Sequence, residues 1–279
     1  LVLTGLMLSV QAQQTGENYN IFKSGEAKQT AADFEPAPAK IYTDFGRLNF
    51  EGGAFPDDAS IQKIYDQLDL MRATEAYMDF FPAMSIYGIV KSQARDFNYS
   101  SSSDYAVMAD FMQPSENYLT GNDVTVYAFV SLDLKVDGAT VLEIPPGMYG
   151  NANDANFKYL TDFGPTGPDL GEGGKYLFLP PGYTGKIPEG YHVFKVPGYR
   201  IWAMMRGFGE VGTGDKAVQW FKERLKVYPL ATGPRKFKVV NGSHMGINTL
   251  PPEDASAFEF LNEIIQYEPT ELFSKELLG

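Results

Sequence analysis

His192 and His244 are the chain's only histidines, and there is no cysteine. Thiolate catalysis, disulfides and thiolate metal sites are therefore excluded. The two histidines stand far apart, with neither a Gly-X-Ser-X-Gly elbow nor a His-Glu-X-X-His helix beside them. A histidine triad or zinc site thus has no pattern behind it, and no metal or cofactor is expected. His192, between Tyr191 and Val193, reads as a half-buried packing residue, and His244, after Asn241-Gly242-Ser243, as an exposed turn residue.

What remains is carboxylate chemistry and hydrogen bonding. Glycoside hydrolysis needs only an acid and a second carboxylate about 5 to 10 Å apart. Asp133 and Glu143 are the candidates, set against the ordinary case of surface carboxylates at strand ends. Asn122, Thr125 and Tyr127, with Arg206, offer orienting hydrogen bonds and one charge to a small or carbohydrate-like ligand. Arg206 is equally placed to neutralise Asp133 as a structural pair. Trp202, Tyr199, Tyr183 and Tyr149 can stack on sugar rings or simply fill a core.

These groups need a frame, and the stretch from Thr120 to Leu134 supplies its centre. Gly121-Asn122-Asp123 is a turn signal, after which Val124, Val126, Ala128 and Val130 alternate with Thr125, Tyr127, Phe129 and Ser131. That period of two predicts a strand between two unlike faces, deep within a sheet, with Tyr127 turned towards an enclosed polar space. Asp137-Gly138 then predicts a hairpin into Thr140 to Ile144, ended by Pro145-Pro146-Gly147. Residues 191–196 and 199–205 read as two more strands that pair or lie adjacent. The loop 164–174 is rich in glycine and proline but is followed by a strand, not by a helix opening on Lys-Ser or Lys-Thr, so it is not a phosphate loop.

Helices flank this β region. Asp57 is an N-cap for a helix over about 58–80, with Ile61, Ile64, Tyr65, Leu68 and Met71 as its apolar stripe. Pro82 kinks or ends it. A second amphipathic helix is expected over 215–227, a last strand over 235–240, and a mainly helical tail over 252–278.

At 279 residues, with 44% hydrophobic residues, 20 Phe and 17 Tyr against 28 Gly and 18 Pro, the composition favours a sandwich or barrel of strands and turns. A formal net charge of −12 and the lack of any basic run argue against nucleic acid. The apolar run Leu1 to Val10, followed by Gln11-Ala12-Gln13, resembles a clipped secretory signal. It is too short to span a bilayer, so a secreted or periplasmic location without a transmembrane segment is expected.

Five ordered segments together resemble one known family. They are Phe55-Pro56 through Tyr77 and Pro82; Asn122 to Leu134; Val141-Leu142-Glu143-Ile144-Pro145-Pro146; Gly173 to Gly182; and Gly190-Tyr191 through Ile201 to Arg206. In this order they resemble the domain of unknown function 1254, over roughly Tyr42 to Leu230 by pattern. The resemblance implies a β-rich, jelly-roll-like domain of exported bacterial proteins, natively followed by a second β domain, the domain of unknown function 1214. Relatives often carry Asn-X-Asp-Thr-X-Tyr at the central strand; Asn122, Thr125 and Tyr127 match, while Val124 stands at the aspartate position.

The expected organisation is a signal peptide over 1–14, a flexible leader over 15–40, a β-rich domain over 41–230, and a partly helical linker over 231–279 towards the second domain. The fold expected is mainly β with flanking helices (α+β), a jelly-roll-like sandwich or barrel with an N-terminal amphipathic helix and a helical C-terminal tail. A ligand-binding or interaction domain of the cell envelope is the leading functional expectation. A carboxylate hydrolase of sugar or lipid-like substrates, and a structural homo-oligomer, are its alternatives.

Overall fold

The computed structural model describes residues 38–51, 55–114, 116, 118 and 121–273. The expected signal peptide over 1–14 and the leader up to residue 37 lie outside the described residues. Those described form thirteen strands in three sheets and four α-helices, a mixed α+β architecture that is mostly sheet. Each sheet runs between two different edge strands, so the barrel alternative is corrected: none closes on itself. No described helix is long and apolar enough to cross a membrane. The chain divides into two compact units, 1–71 and 72–279.

In the first unit β1 (Lys40–Thr43), β2 (Gly46–Glu51) and β3 (Phe55–Pro56) form a small sheet in sequence order. Helix α1 (Asp58–Asp96) starts here. Asp57 caps it as expected, Oδ1 accepting from Ser60 N–H at 2.8 Å, while Oδ2 accepts from Asn49 Nδ2 at 3.0 Å and ties the cap to β2. The stripe residues Ile61, Tyr65, Leu68 and Met71 remain 37–59% exposed.

In the second unit α1 continues past Pro82, which does not end it. A helix-interior proline costs about 3 kcal/mol. Against that, Ala83, Met84, Ile86 and Tyr87 are at most 3% exposed, and each large side chain so buried contributes about 1.5–3 kcal/mol. Ser85 Oγ also donates to the Phe81 carbonyl at 2.9 Å. Tertiary packing outweighs the local break.

The remaining elements are β4 (Tyr105–Met108), β5 (Val126–Asp133), the single-turn α2 (Leu134–Asp137), β6 (Thr140–Ile144), β7 (Tyr149–Asp154), β8 (Tyr159–Phe163), β9 (Gly174–Leu179), β10 (His192–Lys195), β11 (Arg200–Gly207), α3 (Gly214–Arg224), β12 (Lys226–Pro229), β13 (Val239–Asn241) and α4 (Ser256–Tyr267). They make a six-stranded sheet, β13-β4-β5-β11-β7-β8, and a four-stranded sheet, β10-β9-β6-β12. Two expected pairings are thereby corrected. β5 and β6 are not a hairpin, since β5 pairs with β4 and β11 while β6 pairs with β9 and β12. β10 and β11 likewise belong to different sheets. The turns there carry the chain between layers, so closeness in sequence does not become pairing.

One side of β5, Val126, Ala128, Val130 and Leu132, shares a core with Leu142, Ile144, Tyr176 and Phe178 of the smaller sheet. The other side, Tyr127 and Phe129, packs with Ile86 and Val90 of α1 and with Trp202. Further along α1, Phe80, Ala83, Met84 and Tyr87 meet Ala257, Leu261 and Ile264 of α4. β5 is thus buried on both faces, and the face expected to line a polar space is apolar over Tyr127 and Phe129.

Candidate functional site

The α1-facing side of β5 turns polar only at its end, with Ser131 and then Asp133. Asp133 is 6% exposed and caps α2, its Oδ1 accepting from Lys135 N–H at 3.1 Å and Val136 N–H at 3.3 Å. The antiparallel register sets Arg200 of β11 opposite it, and Arg200 Nη2 reaches Oδ2 at 3.0 Å. The Tyr267 hydroxyl, from the end of α4, lies 2.7 Å from both carboxylate oxygens.

A second carboxylate closes the network from the residue after α4. Glu268 Oε1 accepts from the Tyr87 hydroxyl at 2.7 Å and from Arg200 N–H at 3.1 Å, and Oε2 accepts from Tyr199 N–H at 2.6 Å. Burial pushes the Glu268 carboxyl above its ordinary pKa, and these hydrogen bonds oppose the rise. Burial, then the charge of Glu268, drives the Tyr87 phenol far upward; burial, then the bond to Asp133, does the same to Tyr267. The Arg200 guanidinium lies 4.8 Å from the Tyr267 ring centre and 6.0 Å from that of Tyr87. Its charge is therefore held between two aromatic faces and one carboxylate.

Beside this network is a hollow of about 300 Å³ lined by Tyr99, Ser100, Asp104, Ser131, Asp133 and Arg200, among others. Asp104 is fully engaged, Oδ2 with Ser100 N–H at 2.7 Å, Ser100 Oγ at 3.0 Å and Ser101 N–H at 3.0 Å, and Oδ1 with Lys238 N–H at 2.8 Å. Arg235 pairs with Asp137 at 2.9 Å and also donates to Ser102 and Ser103. Two lining residues are not fully satisfied: Arg200 Nε and the Tyr99 hydroxyl are buried without a hydrogen-bond partner. Such atoms are uncommon and costly when left unpaired.

The other end of β5 holds the residues singled out from sequence. Asn122 Oδ1 accepts from Val124 N–H at 2.9 Å, Thr125 N–H at 2.9 Å and Thr125 Oγ1 at 3.0 Å, and its Nδ2 donates to the Tyr127 hydroxyl. Arg206 stacks over Tyr127 at 5.6 Å. Asn122, Thr125, Tyr127 and Arg206 therefore do come together, bound chiefly to one another. Asn122 also lines a larger hollow of about 700 Å³ with Met112, Glu116 and Tyr118. Between the two hollows, fully buried Gln93 donates to the Tyr118 hydroxyl at 3.0 Å and accepts from Ser131 Oγ at 3.3 Å.

Glu143 does not join Asp133. It lies in the smaller sheet, accepting from the Tyr228 hydroxyl and 3.4 Å from Lys175 Nζ. The partner of Asp133 is Arg200, not Arg206, which corrects the pairing drawn from sequence. His192 packs against Tyr176 at 5.1 Å, and His244 is exposed. Among the described residues no group of three or more His, Asp or Glu side chains is gathered to hold a metal. Tyr87, Tyr99, Arg200, Tyr267 and Glu268 were not singled out for this role from sequence. The one signal was the even spacing from Asp133 along β5, which predicts a polar end to that face but not its partners.

Residues 104–229 match the model of a family described as "Protein of unknown function (DUF1254)". No curated protein matches the chain. Among solved structures the chain is similar to the VPA0106 protein from Vibrio parahaemolyticus, at 18% identity and a TM-score of 0.45 over 67% of this chain. The chain spans 44% of the length of that protein.

Proposed function

We propose that this chain, whose residues 104–229 belong to the DUF1254 family, is a binding domain for a small or carbohydrate-like ligand, seated in the hollow beside Asp133 and Arg200. The observation that carries this reading is the wall of the hollow itself, where the hydroxyl residues Ser100, Ser101, Ser102 and Ser131 are gathered beside Asp133 and Arg200. A few convergent polar side chains around one hollow are what fixes the orientation of a small ligand. Asp133, Tyr267 and Glu268 hold Arg200 in place and make the site rigid before the ligand arrives. Native mass spectrometry of protein purified gently from its host tests this. A retained small molecule that Arg200→Lys releases is expected; retention unaffected by that change overturns the reading.

Carboxylate hydrolysis is the lesser reading. Asp133 already accepts from Tyr267, Arg200 and two backbone groups, Asp104 on the same wall accepts from Ser100, Ser101 and the Lys238 backbone, and Glu143 stands in the other sheet, so both carboxylates of the hollow are taken up by donors of the fold. Its test is Asp133→Asn, which on that reading abolishes turnover of a sugar substrate; an unchanged rate removes it. The structural homo-oligomer is tested by sedimentation of the full chain.

The wider reading includes export, on the strength of the apolar Leu1 to Val10 run and the small-residue pattern after it, and N-terminal sequencing of exported protein tests it. It also includes the jelly-roll connectivity and the neighbouring domain of unknown function 1214 that the family resemblance implies, for which an experimental structure of the full-length protein is the test.

A further inference from the structure

We propose a second site, for an uncharged compound of one aromatic ring, in an apolar hollow of about 370 Å³ lined by Gly147, Met148, Tyr149, Pro165, Gly171 and Phe208. It stands apart from the hollow beside Asp133: β11 begins there at Arg200 and ends at Gly207, and Phe208 follows at this end.

The glycine- and proline-rich loop 164–174, which is no phosphate loop, builds one wall. Buried Asp169 holds it together, Oδ1 accepting from Gly164 N–H at 2.8 Å and from the Tyr176 hydroxyl at 2.8 Å, and Oδ2 from Gly173 N–H at 3.1 Å. Gly164 and Gly173 have φ of +91° and +72°, and a Cβ on them would stand 2.0 Å from the Met148 carbonyl oxygen and 2.5 Å from that of Ile144. Glycine is thus what lets the loop lie against residues 144–148. Gly147 N–H donates to the Gly171 carbonyl at 3.1 Å and fixes the second wall, 147–149, to the loop. The hollow is therefore shaped before a ligand arrives.

The lining selects the ligand. None of these six residues is charged, although 21% of the chain is, so an ionised ligand gives up hydration there and gains no counterion. A polyhydroxylated ring finds one side-chain hydroxyl, that of Tyr149, and leaves its other hydroxyls without side-chain partners. Aromatic and thioether surface is what the wall offers. Tyr149 and Phe208 are 43% and 50% exposed, so a ligand reaches both rings, and Met148 adds a polarizable sulfur from the core. A volume of this size stands at the lower end of small-molecule sites and limits the occupant to about one ring.

Ligand-observed NMR titration of the full chain with phenol, toluene and indole tests the class, with benzoate and benzylamine as charged counterparts and myo-inositol as the polyhydroxylated ring. Phenol should bind at least about tenfold more tightly than benzoate, benzylamine or myo-inositol. Phe208→Ala should weaken phenol and toluene alike by about tenfold. Tyr149→Phe keeps the ring, so it should weaken phenol by about fivefold and leave toluene unchanged. A charged probe or myo-inositol that binds as tightly as phenol overturns the uncharged aromatic class. Binding that neither Phe208→Ala nor Tyr149→Ala weakens overturns the site, as does the absence of binding by phenol, toluene and indole together. Tighter binding of N-acetyl-phenylalaninamide than of toluene makes the hollow a seat for a partner's side chain and overturns the free ligand.

Discussion

The two ends of β5's α1-facing side solve the same problem in opposite ways. At the Tyr127 end the hydrogen bonds close within a few residues: Asn122 binds Val124, Thr125 and Tyr127, and Phe129 stacks on Tyr127 at 5.4 Å. At the Asp133 end the partners arrive from α1, β11 and the end of α4, with Tyr87 and Glu268 lying 181 residues apart in sequence. Local closure leaves a finished, rigid turn. Closure by distant elements leaves Arg200 Nε and the Tyr99 hydroxyl unmatched, on two residues that line the hollow.

The largest effect is expected where the distant network is cut. Asp133→Ala removes the partner of Arg200 and of Tyr267 together and leaves a largely buried guanidinium without its counterion. It should lower stability by about 3 kcal/mol, read by urea denaturation with the m-value unchanged. A loss below about 1 kcal/mol would make this network no more than a surface pair. Arg200→Ala combined with Asp133→Ala should cost less than the two singly, since neither orphans the other.

Asn122→Ala breaks the local end and should cost less. The side chain organises a turn much as an N-cap does, so a loss of about 1 kcal/mol is expected, with ligand retention unchanged. Loss of the ligand together with that small destabilisation would move the site to the larger hollow. Tyr127→Phe, which removes only the hydroxyl bonded to Asn122, should cost about 1 kcal/mol or less by the same assay.

The contrast also explains how much could be read from residues in a row. The Asp57 cap, the interior strand around Val126 to Leu132 and the helix over 214–224 all follow from contacts within a turn or from a period of two or 3.6. The Asn122 turn was legible for the same reason. Alternation along β5 gives the face of Asp133 but not the strand or register beside it. Arg200 and Arg206 both lie on β11 facing the same way, and only the pairing of Arg200 with Asp133 and of Arg206 with Tyr127 distinguishes their roles. Pro82 does not end the helix, because its penalty is local while the burial that offsets it comes from the sheet and α4. Glu268 carries no local mark at all; it becomes special when folding places it against Tyr87 and the backbone of Tyr199 and Arg200.

The smallest effect expected is a slope. Burial raises the Glu268 carboxyl above its ordinary value of 4.5, so between that value and the higher folded one the folded chain holds more protons than the unfolded chain. Stability therefore falls as pH rises through that window, by the linkage between proton binding and unfolding. The stabilisation associated with protonated Glu268 is fully present below 4.5 and is lost as pH passes the folded value. Glu268→Gln carries no such proton. Subtracting its urea-denaturation profile from that of the parent should leave a descending step just above 4.5, whereas Asn122→Ala, at the locally closed end, should leave a flat line there. A rising step would mean that the hydrogen bonds from Tyr87, Tyr199 and Arg200 outweigh burial and hold the carboxyl below its ordinary value. The network would then be anchored on a charged Glu268 at the ordinary value of 4.5 and above, and only stronger acid would protonate it.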